Sequence, residues 1–115
     1  VLGINAIILE LRHRLPATRI LLMGVLPSER SDWTTETTVT INRALAERYI
    51  HDATVTFIDV GHVFMRDGRL DRDLYYDPKL NPPDPPLHPT AQGQGLMAAE
   101  MEPVLARLMD DKPHA

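Results

Sequence analysis

The apolar run Ile20-Leu21-Leu22-Met23, inside the segment from Arg19 to Val25, constrains this chain more than any other feature. Without polar alternation it has no face for water. A short continuous run of this kind suits a strand buried on both faces, as in a parallel sheet covered by helices. Gly24 and Pro27 end it. A second strand is expected from Thr54 to Val60, rich in β-branched and aromatic residues. Before the first run, Ile4, Ile7, Ile8, Leu11 and Leu15 recur at three- and four-residue steps, the spacing of one helix face, and Pro16 stops the pattern. Between the strands, Ser28 to Thr38 reads as a loop carrying several helix-cap residues. A second helix follows, with Ile41, Ala44, Leu45 and Tyr49 on one side.

From Gly61 to Asp77 the pattern weakens, with Asp67-Gly68 as a turn signal. Six prolines then fall between Pro78 and Pro89. Proline fixes its own φ and restrains the residue before it, so residues 78–89 are expected to form a stiff, extended surface loop. Met97, Met101, Val104, Leu105 and Leu108 predict a last amphipathic helix, kinked at Pro103, and residues 110–115 a frayed polar tail. The order helix, strand, helix, strand, loop, helix reads as an α/β fold with a parallel sheet. A sheet of two such strands leaves hydrogen-bonding edges and apolar surface open, so further strands are expected on the N-terminal side of Val1.

A length of 115 residues fits one domain, and 43% hydrophobic with 24% charged residues is the composition of a globular chain. The net charge of -4 gives no electrostatic reason to expect nucleic acid or an anionic membrane as partner. There is no cysteine, which excludes disulfides and thiolate metal sites. No apolar run is long enough to span a bilayer.

Ligands of open α/β sheets bind at the carboxyl ends of the strands. Three loops can lie there: those after Val25 and Val60, and the proline-rich one. The last contains Asp84-Pro85-Pro86-Leu87-His88-Pro89-Thr90. A histidine just ahead of a helix can reach into a cleft, and a nearby carboxylate can fix its tautomer. Other candidates are weaker. His62 and Asp59 lack the third and fourth partners of a zinc site. Asn42 reads as solvent-facing or capping. Met97, Met101 and Met109 read as core packing, and Arg12, His13 and Arg14 as a solvated face. Trp33 covers the core edge or packs against an acyl or sugar group.

Leu21 to Pro27, then Ile41-Asn42, Phe57-Ile58-Asp59-Val60, Phe64, Asp67-Gly68, and Leu87-His88-Pro89-Thr90 with Gly93 form an ordered set. In that order the chain resembles the C-terminal half of the SGNH (GDSL) hydrolase family. Within it, the chain is most similar to acetylhydrolases of the platelet-activating-factor acetylhydrolase catalytic-subunit type. The resemblance implies a flavodoxin-like three-layer sandwich with a parallel sheet, of which residues 1–115 are the C-terminal half. It implies an ester hydrolase acting on a small-molecule or saccharide acyl ester through a Ser-His-Asp mechanism, with no metal or cofactor.

His88 matches the family histidine. The family serine and oxyanion hole would precede Val1, which leaves Ser28 and Ser31 as loop serines. The family aspartate lies three residues before the histidine, where this chain has Pro85. Asp84 stands one step off, and Asp77 also matches if the residues from Pro78 onward are an insertion. A third alternative is that a backbone carbonyl orients the imidazole. Because the nucleophile is missing and the aspartate displaced, two other readings stay open. One is a non-catalytic α/β binding or vestigial module. The other is one half of a split enzyme whose partner chain supplies the serine.

Overall fold

A computed structural model of the chain describes residues 1–75 and 88–110. Asp77, Asp84 and all but the last two residues of the expected 78–89 loop lie outside the described residues, as does the expected tail beyond Asp110.

Helix α1 spans Leu2–Arg14 and ends one residue before Leu15-Pro16, with Arg12, His13 and Arg14 in its last turn, where positive charge complements the helix dipole. Strand β1 (Ile20–Met23) follows, then helix α2 (Asp32–Tyr49) and strand β2 (Val55–Ile58). The strands pair in parallel, with Ile20 opposite Val55 and Met23 opposite Ile58. β1, α2 and β2 are therefore a βαβ unit, and the chain is of the α/β kind.

α2 begins well before the expected helix. Ser31 is its N-cap, its Oγ accepting the Thr34 N–H at 3.0 Å. Thr35 and Thr40 return their hydroxyls to the carbonyls of Ser31 and Glu36, four residues back. The threonines that suggested a loop are thus absorbed into the helix. Trp33 sits in its first turn, 73% exposed, and does not cover the core.

The main core gathers Ile8 of α1, Leu45 and Tyr49 of α2 and Val55 of β2, with Ile4, Ile20, Leu22, Ile41 and Phe57 packed against them. Ile20 and Leu22, like Val55 and Phe57, are two residues apart and so share a sheet face. Both α1 and α2 pack on that face. The Tyr49 hydroxyl ties the helices by donating to Asn5 Oδ1 at 2.7 Å. The strands are not buried on both faces as expected: only Val55 is fully buried, and the other strand residues keep partial exposure. Leu11 and Leu15 of the expected helix face are exposed, as is Ile7.

A 3-10 turn at Gly61–Phe64 leaves β2 and leads into a short hairpin, β3 (Met65–Arg66) with β4 (Arg69–Leu70). Asp67 and Gly68 both have positive φ, 53° and 77°, as a two-residue type I′ turn requires. A second 3-10 turn, Arg72–Leu74, follows. These pieces build a second cluster of Phe64, Leu70, Leu74 and Tyr75, with Leu26, Val63 and Met97 packed against it.

Helix α3 (Ala91–Leu108) runs through Pro103. Near its start it packs on the Gly61–Phe64 turn, beyond the carboxyl end of β2. At its other end the Arg19 guanidinium donates to the Leu108 carbonyl and pairs with Asp110 at 3.3 Å, just before β1. α3 therefore runs antiparallel to both strands. Met97 and Met101 are partly buried on it, whereas Met109 is exposed beyond its last turn, not packed in the core. Among the described residues no helix is long and apolar enough to cross a membrane.

Candidate functional site

Because α3 runs back along the strands, its N-terminus lies on the carboxyl-end side of the sheet, where ligands of α/β sheets bind. His88 is exposed there, two residues before the N-cap Thr90. Two contacts hold this corner. The Thr90 N–H donates to the Leu74 carbonyl at 2.6 Å, and the Thr90 hydroxyl accepts the Gly93 N–H at 3.2 Å. Gly93 allows the approach: a Cβ there would lie 2.9 Å from the Leu74 carbonyl oxygen and 3.0 Å from the Phe64 ring. The histidine is thus displayed from a backbone pinned to the second core cluster. Its candidate partners, Asp84 and Asp77, fall outside the described residues, so only the histidine of the expected arrangement has a described position.

Tyr75 lies beneath the same corner. It is 3% exposed and packs edge-on against Phe64, with ring centroids 5.1 Å apart. Burial pushes its phenol up to about 12, and its hydroxyl has no hydrogen-bond partner among the described residues. The local pattern, weak from Gly61 to Asp77, does not mark it as a core residue.

The loop after β1 is fixed differently. Asn42 is buried on α2, not solvent-facing or capping. Its Oδ1 accepts the Val25 N–H at 2.8 Å and its Nδ2 donates to the Val25 carbonyl at 2.9 Å. The side-chain amide pairs with Val25 as a neighbouring strand would. Gly24 makes room for it, since a Cβ there would lie 3.0 Å from Asn42 Oδ1 and 3.1 Å from the Phe57 ring. Asn42 is a positioning residue of the strand exit.

Neither serine has the setting of a nucleophile. Ser31 stands at the end of the loop with extended backbone, and its hydroxyl caps α2 and also bonds the Thr34 hydroxyl at 2.8 Å. Ser28 stays in the loop, where its carbonyl accepts the Thr35 hydroxyl. Asp59 and His62 are drawn apart in function. Asp59 Oδ1 accepts the Gly61 N–H at 2.8 Å, while His62 Nε2 faces Glu100 of α3 at 2.9 Å. Among the described residues no three metal-ligating side chains come together.

Arg12 corrects the solvated-face reading. It is partly buried, with its guanidinium on the Thr54 hydroxyl and paired with Asp52. Asp52 also accepts the Thr54 and Val55 N–H groups. The Arg12 bond, then the Thr54 N–H, hold the Asp52 carboxyl well below the usual carboxylate range.

A cleft of about 520 Å³ opens beside α2 at the carboxyl end of β2. Asn42, Asp59 and His62 line it, and His88 lies outside its lining. Its other walls include Thr38, Arg43 and Phe57, which the sequence reading did not single out as functional. The chain matches no protein-family model, and no curated protein matches it.

Proposed function

We propose that this chain carries the general base of an ester hydrolase of the SGNH type, on the C-terminal half of a flavodoxin-like three-layer sandwich. The observation that carries the reading is the position of His88. It is exposed at the carboxyl-end side of a parallel βαβ unit, on a backbone tied down through Thr90 and Gly93. A base needs both properties: access to substrate, and a fixed approach that costs little entropy to hold.

In the proposed reaction a serine outside these 115 residues attacks the carbonyl carbon of an acyl ester. His88 takes the serine proton as the Oγ–C bond forms, then gives it to the alcohol oxygen as the ester C–O bond breaks. Water, activated by the same imidazole, attacks the acyl-serine and releases the acid. An aspartate, Asp84 or Asp77, orients the imidazole and stabilises its protonated form. The engagement of Ser31 as a helix cap supports a nucleophile from elsewhere. The substrate class is a small-molecule or saccharide acyl ester.

The test is hydrolysis of p-nitrophenyl acetate. The 115-residue chain alone is expected to be inactive, and a serine-bearing N-terminal half, fused or added, to restore turnover. In that restored protein His88→Ala is expected to cost about a hundredfold or more in kcat. His88-dependent turnover by the chain alone, or full activity of the restored His88→Ala protein, overturns the reading.

A binding-module reading is favoured by a separate observation, the cleft beside α2, whose lining does not include His88.

A further inference from the structure

We infer that the cleft between α2 and the carboxyl end of β2 is a binding site for a small carboxylate with an apolar tail, independent of His88 and of the ester-hydrolase reading. Its volume of about 520 Å³ falls within the range of small-molecule pockets, roughly 300–1,000 Å³. Val25, Val39, Phe57 and Met65 give it apolar walls. The one amide in the wall, Asn42, has its oxygen and nitrogen committed to Val25. An occupant therefore has mostly hydrocarbon to meet, and gains by burying an apolar tail.

Among the uncommitted groups in the lining, Thr38 and Arg43 stand out. Thr38 is only 8% exposed, yet its hydroxyl makes no hydrogen bond among the described residues. This sets it apart from its neighbours on α2. Thr35 and Thr40 each return the hydroxyl to a carbonyl four residues back, the usual resort of a helical threonine. A hydroxyl so nearly buried gains from a polar partner, and the cleft is where one can come from.

Arg43 is the second. It is exposed in the lining, one helical turn from Val39, and has no ion pair among the described residues. Of the acids nearby, Asp59 accepts the Gly61 N–H through Oδ1, Glu100 faces His62, and Glu47, four residues further along α2, makes no ion pair with Arg43 among the described residues. The cation in the lining without an ion pair among the described residues is thus a guanidinium, whose planar fork matches a carboxylate. Apolar walls, a nearly buried hydroxyl and an unpaired arginine together describe the complement of an amphipathic acid.

The probe is sodium decanoate, titrated into the isotopically labelled 115-residue chain below its micelle concentration and followed by amide shifts. Saturable shifts are expected at Thr38, Val39, Phe57 and Gly61. Decanol, with the same tail and no charge, is expected to bind about fivefold more weakly or worse, and Arg43→Gln to weaken decanoate by a similar factor. Ala46→Phe, which fills the cleft, is expected to abolish binding. Arg43 is exposed, so its variant keeps the test valid should Ala46→Phe fail to fold. His88→Ala is expected to leave binding unchanged, which separates this site from the proposed catalytic one. Equal affinities for decanoate and decanol, indifference to Arg43→Gln, loss of binding in His88→Ala, or no saturable shift at these residues overturns the inference.

Discussion

Gly93 decides how closely α3 can lie on the second core cluster. A methyl group there would meet a backbone oxygen, Leu74 O, at 2.9 Å, and backbone cannot swing aside as a side-chain tip can. The helix must back away, lengthening the 2.6 Å bond from Thr90 to the same oxygen. Gly93→Ala is therefore expected to destabilise the chain by about 1–3 kcal/mol despite alanine's better helix propensity. A urea titration monitored by circular dichroism checks this, and a gain in stability would contradict the geometry. Gly95, one step beyond, has nothing within 4 Å of its Cβ position, so Gly95→Ala is the matched control and is expected to stabilise. The family resemblance includes Gly93 and not Gly95, but local helix propensity treats the two glycines alike. The difference lies in what the chain folds against, Leu74 and Phe64, which no local pattern records.

At the level of elements, α2 shows where sequence reading succeeds and where it fails. Its buried positions Thr38, Asn42, Leu45 and Tyr49 follow steps of four, three and four. The apolar half of that stripe was legible as a helix. The polar half was misread: Thr38 as loop, and Asn42, though on the expected helix, as solvent-facing or capping, because neither extends the apolar periodicity on which the reading rests. Those polar positions are where α2 meets the strand exit and the cleft. The Asp67-Gly68 turn was legible, while the hairpin around it was not, since strands of two residues carry no periodicity.

The link from α1 to the start of β2 also escaped the sequence, because Arg12 and Asp52 are forty residues apart. That link carries a pH prediction. The Asp52 carboxyl titrates below its unfolded value, so folding favours the ionised form. Its contribution is fully present above the unfolded value, about pH 4, and is lost as pH falls through the folded value. Asp52→Asn is expected to flatten the fall of Tm between about pH 5 and pH 2 while keeping an acceptor for the Thr54 N–H. An unchanged acid limb would show that the Arg12 link adds nothing.

For the whole molecule, the balance of covered and uncovered surface matters most. The βαβ unit was readable from two apolar runs separated by a helical stretch. Its degree of burial was not, because the strands are apolar enough for cover on both sides yet keep partial exposure. α1 adds to the imbalance: Leu2, Ile7 and Leu9 are 87%, 62% and 69% exposed, while Ile8 alone on that helix is fully buried. A helix apolar on several sides is typical of one surrounded by other structure. In dilute solution such a surface promotes non-specific association. The apparent mass of the 115-residue chain by light scattering is expected to rise with concentration, and the double variant Ile7→Lys, Leu9→Lys to suppress this without lowering Tm. An apparent mass that is independent of concentration would mean that the exposed leucines and isoleucine are not sticky.

The antiparallel course of α3 has a consequence for the order of assembly. Arg19 and Leu108, whose bond closes the far end of the helix, are 89 positions apart. Contacts of such separation are entropically expensive and tend to form late. During synthesis His88 emerges before the helix that anchors it, so the imidazole exists for a time without a fixed place. Its place is fixed once Thr90 meets the Leu74 carbonyl and Gly93 meets Phe64, while the Arg19–Leu108 contact, of the longest separation, closes the far end of the helix last.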